Sequence, residues 1–315
     1  MYKRYVYKVF LVSAGRTGTR FLGKKLDAII RDSFSCHEPD ILSLNHIDEI
    51  PKKIVEFGFY RNILLKFIGL YGSKSISYRY LRDVIDIEKA SELLKKQRDN
   101  FIIRMEKHLY IESNQAFFAS IPVIKHAYPD AKIVIFIRDP RDWVTSVINW
   151  NTIYGKKDFW FFNRNRRITP KMLKIRNESA IWKNYSQFEK LCWYYSLVYT
   201  LLIKHSKIYD IPIYRYEDIF GKDNYTFQKF IKYITEFKCK SFSYHIPTKF
   251  LTKRIHNNEY FHFPEWRQWN TDQAKFLWKK NRHIMEQFDY GNEHQWKKIV
   301  SNEQNDTHFK QQLNR

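Results

Sequence analysis

Two short apolar runs, each ending in a turn that carries cationic and hydroxyl side chains, constrain this chain most. The first, Tyr5 to Val12, enters the turn Ser13-Ala14-Gly15-Arg16-Thr17-Gly18-Thr19. Phe21, Leu22, Leu26, Ile29 and Ile30 then recur at helical spacing, so the turn joins a buried strand to a helix. The second run, Lys132 to Ile137, is the clearest buried strand, and Pro140 stands at a helix start, where a missing N–H costs nothing. Trp143, Val144, Val147 and Ile148 continue that helix. Strands apolar on both faces need helices on both faces, which predicts an α/β fold with a mainly parallel central sheet flanked by helices.

The rest of the chain fits this alternation. Residues 48 to 100 read as amphipathic helix, Leu109 to Ser113 as a short strand, and a helix begins near Ala116. A long helix is predicted from Glu178 to about Lys207, a strand over Ile213 to Tyr216, and helices over Tyr225 to Phe237 and Thr271 to Phe288. Trp193, Tyr194 and Tyr195 on the long helix read as core. With 44% hydrophobic and 18% aromatic residues, the chain buries enough apolar surface to exclude global disorder. Neither an internal repeat nor a linker is visible, so residues 1–290 are expected to form one catalytic domain and 291–315 a polar, frayed tail.

Of the 315 residues, 55 are Lys or Arg and 33 Asp or Glu, a formal net charge of +22. Such a charge implies an anionic partner: nucleic acid, a phosphorylated cofactor, an acidic polymer or a membrane surface. A biased Lys, Asn and Ile usage explains part of it without function. Cys36, Cys192 and Cys239 are dispersed, without metal-ligand spacing, which argues against a disulfide framework or zinc site and suits a reducing compartment. The basic N-terminus has too short an apolar run for a signal peptide or a membrane span. The expected location is cytoplasmic, with peripheral contact at a membrane surface left open, and the sequons at Asn177, Asn184, Asn224 and Asn305 reflect abundant Asn.

A strand, a glycine turn and a helix start direct several N–H groups at one point, a geometry that binds phosphate or sulfate. Gly15 and Gly18 allow close approach, Arg16 adds charge, and Thr17 and Thr19 add hydroxyls. The Lys-Ser/Thr pair of a Walker loop is missing, because Gly18 is followed by Thr19, Arg20 and Phe21, so no metal is demanded. The second turn, Arg138-Asp139-Pro140-Arg141-Asp142, with Ser146 two helical turns on, lies at the same kind of strand end. Arg138 and Ser146 are candidates to bracket one anion, against a bland reading in which Arg138, Asp139, Arg141 and Asp142 form surface ion pairs.

Together the two motifs resemble those of sulfotransferases that use 3′-phosphoadenosine 5′-phosphosulfate (PAPS). Residues 10 to 23 (FLVSAGRTGTRFLG) are similar to the family's 5′-phosphosulfate loop, and residues 133 to 146 (IVIFIRDPRDWVTS) to its 3′-phosphate motif. YRYEDI at 214–219 and the Trp-rich stretch from Trp266 to Gly291 are weaker similarities. The resemblance implies a P-loop-like sulfotransferase fold and PAPS as co-substrate without a metal. It implies that Gly15, Arg16, Thr17, Gly18, Thr19 and Arg20 hold the phosphosulfate and Arg138 and Ser146 the 3′-phosphate. Arg16 stands where many members have Lys, and its permanent charge suits electrostatic stabilisation of the leaving group.

The acceptor hydroxyl needs a base. Cytosolic members often carry a His where this chain has Asn114, after Tyr110-Ile111-Glu112-Ser113. The carbohydrate and tyrosyl branches use a carboxylate about twenty residues after the loop, where Glu38 lies in Cys36-His37-Glu38-Pro39-Asp40. Glu38 is the expected base, with His37 or a plain surface loop as alternatives; Glu112 and Asn114 either line the acceptor pocket or serve only the strand end. Lys253, Arg254 and His256 are candidates for the basic loop that family members close over the adenosine, Arg254 above all. The basic aromatic stretch 156–176, with eight Lys or Arg against one Asp, reads as a loop or lid, either recruiting an anionic saccharide or lipid or simply solvated. The function implied is sulfuryl transfer to a hydroxyl of a saccharide or glycolipid, with no nucleic acid as partner. The competing readings are a P-loop nucleotide kinase and a non-catalytic binder of nucleic acid or another polyanion.

Overall fold

The computed structural model of the protein describes residues 5–40, 51, 72–150, 153–155, 167–221, 224–248, 250–252 and 262–301. In chain order the elements are β1 (Tyr7–Val12), α1 (Thr19–Lys25), β2 (Ser33–His37), α2 (Ser73–Leu81), α3 (Ile87–Arg104) and β3 (Leu109–Ser113). They continue with α4 (Ile121–Ala127), β4 (Lys132–Ile137), α5 (Pro140–Trp150), α6 (Arg176–Ile181), α7 (Gln187–Tyr209) and β5 (Ile213–Arg215). The short α8 (Tyr216–Ile219), α9 (Tyr225–Thr235), α10 (Thr271–Gln287) and α11 (His294–Ser301) complete the main body.

The strands form a parallel sheet in the order β2-β3-β1-β4-β5. Residues of β1 and β4 alternate between two cores. Phe10, Val12, Ile133, Ile135 and Ile137 face one core, with α3, α4, α5 and α7; Val9, Leu11, Val134 and Phe136 face the other, with α1 and α9. A strand buried on both faces is continuously apolar, which is why KIVIFI was legible as one. The chain turns to one side of β1 for β2 and β3 and to the other for β4 and β5. The carboxyl end of β1 is therefore the crevice where open sheets of this kind bind ligands.

Several boundaries differ from the sequence expectation. Of the helix read over 48–100, residues 48–50 and 52–71 lie outside the described residues and α2 and α3 are separated at 82–86, and α9 ends at Thr235. The long helix expected from Glu178 is interrupted: α6 ends at Ile181, and α7 starts afresh after Ser186, whose hydroxyl accepts the Glu189 amide while Glu189 caps Ser186 in return. The helix expected near Ala116 opens instead with a 3₁₀ turn over Gln115–Ala119 before α4. Of the tail expected to fray over 291–315, residues His294–Ser301 form α11, with Trp296 buried against Trp266 and Trp269, and 302–315 lie outside the described residues. Trp193, Tyr194 and Tyr195 are core, as read from the sequence. The expected lid, 156–176, lies outside the described residues over 156–166; its remainder carries a 3₁₀ turn, Pro170–Leu173, capped by the Thr169 hydroxyl.

Candidate active site

The turn after β1 runs through left-handed backbone at Gly15, Arg16 and Gly18, with φ of 81°, 57° and 72°. α1 starts directly after Gly18, so the loop folds tightly over the end of β1. A Cβ on Gly18 would come within 2.2 Å of the Phe220 ring, so glycine is required for space as well as for φ. Trp143 of α5 donates its indole N–H to the Gly15 carbonyl at 2.8 Å, tying the second motif's helix to the first motif's loop.

The two motifs meet directly. Arg16 Nε donates to Ser146 Oγ at 3.1 Å, and Arg138 donates to the Arg16 carbonyl at 3.1 Å. Each guanidinium lies over an aromatic ring, Arg16 over Trp150 at 4.7 Å and Arg138 over Tyr216 at 4.8 Å. Tyr195 of α7 donates to the Arg138 carbonyl at 2.6 Å, which fixes the backbone at the end of β4. Crowding by protein pulls the Arg16 pKa down to about 10, and the charges of Arg138 and Arg20 push the same way. The Arg16 residue nevertheless keeps an exposed face, so its charge stays on at neutral pH and is reachable from solvent.

Arg16 feels the charges of Arg138 and Arg20, three like charges whose mutual repulsion an anion would relieve. Thr17 Oγ1 and Arg138 Nε are buried with no hydrogen-bond partner among the described residues. Unmet buried donors cost about 1–3 kcal/mol each, and an anionic oxygen in the cleft would remove that cost. Thr19 is buried at the first position of α1, and Arg20 follows it on the same turn. No group of His, Cys, Asp or Glu among the described residues is arranged to hold a metal ion.

Glu38 follows β2 at the same carboxyl edge of the sheet, and its amide donates to the Ser113 carbonyl at 2.8 Å. β3 separates β2 from β1, so Glu38 stands about 10 Å from the strand that feeds the Arg16 loop, at ordinary strand spacing. Gly23 of α1 bridges that interval: a Cβ there would meet the Cys36 carbonyl oxygen at 2.7 Å. Glu38 has a left-handed φ of 44°, uncommon for a residue with a side chain. His37 lies beside it, its Nε2 3.9 Å from the Glu38 carboxylate and its Nδ1 3.2 Å from Ser113 Oγ.

Glu112 and Asn114 are fully buried and do not line an open pocket, which decides for the strand-end role. Glu112 pairs with Arg98 through two contacts of 2.7 Å, and Asn114 donates to Glu112 and Ser73 at 3.0 and 3.2 Å. Arg141 does not form the surface ion pair of the bland reading. It is buried against the Trp266 and Trp296 rings, at 4.3 and 5.0 Å, and its ion pairs are with Asp139 and Glu293. Lys253, Arg254 and His256 lie outside the described residues.

Residues 8–170, which include both motifs, match the family described as Sulfotransferase family. The chain belongs to the sulfotransferase family. A search of curated proteins finds no match to this sulfotransferase. Among solved structures it is similar to a sulfotransferase from Alicyclobacillus acidocaldarius, at 15% identity over 92% of this chain and 98% of that one, TM-score 0.39. It is also similar to the sulfotransferase domain from the curacin biosynthetic pathway, at 11% identity over 91% of this chain and 99% of that one, TM-score 0.44. A third is the sulfotransferase STF1 from Mycobacterium tuberculosis H37Rv, at 12% identity over 74% of this chain and 68% of that one, TM-score 0.33.

Aromatics whose place here sequence reasoning missed back the two turns of the sulfotransferase: Trp150 and Tyr216 under the two guanidinium groups, and Trp143 and Tyr195 behind them. Tyr195 and Tyr216 lie 57 and 78 residues from Arg138, and aromatics are too abundant here to single them out. No described helix of the sulfotransferase is long and apolar enough to cross a membrane.

Proposed function

We propose that this sulfotransferase moves the sulfuryl group of PAPS to a hydroxyl of a carbohydrate or glycolipid acceptor, with Glu38 as general base. The observation that carries this reading is the direct meeting of the two anion-binding motifs, Arg16 to Ser146 and Arg138 to the Arg16 carbonyl. PAPS presents a phosphosulfate and a separate 3′-phosphate, and a cleft with several guanidinium groups and unmet donors is complementary to both. In this reading Gly15, Arg16, Thr17, Gly18, Thr19 and Arg20 hold the phosphosulfate, and Arg138 and Ser146 the 3′-phosphate.

The reaction is an in-line displacement at sulfur. The acceptor oxygen forms its bond to sulfur as the bond from sulfur to the bridging phosphate oxygen breaks, and negative charge grows on that leaving oxygen. A guanidinium already held in place stabilises this charge without reorganising, the type of contribution usually largest in such transfers. Glu38 takes the hydroxyl proton from the same carboxyl edge of the sheet that carries the Arg16 loop. The chemistry calls for no metal ion. A cytoplasmic setting belongs to the same proposal and agrees with the lack of any bridge among Cys36, Cys192 and Cys239.

Calorimetric titration with adenosine 3′,5′-bisphosphate tests the cofactor, with ATP and Mg²⁺ as comparison. Binding of the bisphosphate alone is expected; equal binding of ATP-Mg²⁺ would return the kinase reading. Radiolabelled sulfate transfer from PAPS across saccharide, lipid and phenol acceptors tests the acceptor class. Glu38→Gln is expected to keep bisphosphate affinity and to lose transfer by about 100-fold or more, the usual scale for a general base; unchanged turnover removes Glu38 from the mechanism.

A further inference from the structure

Glu38 adopts a backbone conformation that its own sequence disfavours twice. A left-handed φ of 44° is costly for a side chain of this kind, and the residue before a proline, here Pro39, is pushed toward extended backbone. Such a geometry persists only where the surroundings over-determine it, at a cost of about 1–3 kcal/mol. On the N-terminal side the hold is the sheet, through the Glu38 amide and the Ser113 carbonyl. On the C-terminal side it is Asp40.

Asp40 is buried, two residues after Glu38, at the hub of a polar cluster. Its Oδ2 accepts the Ser73 amide and, at 2.6 Å, the Ser73 hydroxyl. Its Oδ1 lies 3.4 Å from both the Arg98 guanidinium and Asn114 Nδ2. Arg98 also donates to Ser73 Oγ at 2.7 Å and to both Glu112 oxygens, and Tyr110 donates to Glu112 at 2.7 Å. The cluster joins four separate parts of the chain: the Glu38 turn, the start of α2, the middle of α3 and the end of β3. Two carboxylates around one guanidinium are an inefficient way to stabilise a core, since apolar replacements often do as well. They are an effective way to immobilise a turn, because each contact is directional and charge-assisted.

We propose that Asp40, seated on Ser73 and Arg98, is a positioning residue that locks Glu38 in its left-handed conformation and so aims the carboxylate at the acceptor hydroxyl. The proposal rests on Glu38 being the base. Misplacing a reacting group by about 1 Å can cost 100-fold in rate, so losing the anchor should appear in turnover and not in nucleotide binding.

Asp40→Asn, Ser73→Ala and Glu38→Gln, with each double variant, are compared by turnover with radiolabelled PAPS and the best acceptor of the saccharide, lipid and phenol panel. Bisphosphate affinity is measured alongside. Asp40→Asn and Ser73→Ala are expected to lower kcat by roughly 10- to 100-fold with bisphosphate affinity within about twofold. Ser73→Thr, which keeps the hydroxyl, is expected to recover most of the loss. In the Glu38→Gln background the Asp40 change should add nothing, because a residue that acts through another has no separate effect once that one is gone. Additive losses, or a parallel fall in bisphosphate affinity, mean a general structural role and overturn the proposal. Should Asp40→Asn fail to fold, the milder Ser73 pair alone decides, on the same criteria. If Glu38→Gln leaves turnover intact, the base assignment falls and the anchor with it; if only the Asp40 and Ser73 variants leave it intact, the base stands and the anchor falls.

Discussion

Replacing Arg138 by Ala removes a charge at the end of β4 and its hydrogen bond to the Arg16 carbonyl, while Trp143 still ties the loop after β1 through the Gly15 carbonyl. If Arg138 serves the 3′-phosphate, the variant should bind adenosine 3′,5′-bisphosphate about 10- to 100-fold more weakly, the scale of one charge-assisted hydrogen bond. Binding of AMP, which has no 3′-phosphate, should barely change; equal losses for both ligands would reassign Arg138 to a structural role. His205 on α7 offers a test in pH. Burial, helped by Lys204, pulls its pKa down to about 4, and its Nδ1 has no hydrogen-bond partner among the described residues. The unfolded chain takes up this proton near pH 6.5 and the folded one near 4, so stability is lost as pH falls between these values. His205→Gln should therefore flatten the acid side of a melting-temperature profile over that window, and an unaltered slope would exclude His205 as its source. At this scale the cationic side chains were legible in the sequence, because a guanidinium beside glycine has few bland uses. Asp40 and Arg98 were not, since their roles come from contacts between residues 40, 73, 98 and 112.

At the level of elements, α1 is held so close to β2 and β3 that one methyl group matters. An exchange of Gly for Ala inside a helix ordinarily gains about 1 kcal/mol. Gly23→Ala should instead lose stability in urea denaturation, because its Cβ would stand 2.7 Å from the Cys36 carbonyl oxygen and 2.9 Å from Ser113 Cβ. A gain would show that α1 is free to move off the sheet. The strands were readable because burial on both faces makes them continuously apolar, and α5 because Pro140 marks its start. The break before α7 was also written in the sequence, as Ser186 with Glu189 three residues on, but the apolar spacing around it concealed the cap. Glu38 was singled out by its distance from the loop; its left-handed backbone, held by the Ser113 carbonyl, was not visible there.

For the molecule as a whole, the decisive contact is between the second motif and the C-terminal region. Arg141 pairs with Asp139 and Glu293 and lies against both Trp266 and Trp296, so α11 packs against the second motif. Trp296→Ala should cost about 3–5 kcal/mol by chemical denaturation, as for other large buried aromatics. A loss under about 1 kcal/mol would mean that α11 contributes little. The net charge of +22 pointed to an anion, and among the described residues Arg16, Arg20 and Arg138 come together at the turn after β1. The sequence by itself determined the alternation of strands and helices, the two turns that carry cationic and hydroxyl side chains and the family they resemble, because these are local patterns of burial, charge and glycine. Only the tertiary structure decided that the two turns touch through Arg16 and Ser146, that Arg141 is buried, and that Asp40 anchors the turn of Glu38. Those depend on side chains brought together across tens to more than a hundred residues, and their energies come from desolvation and direction, which local sequence does not encode.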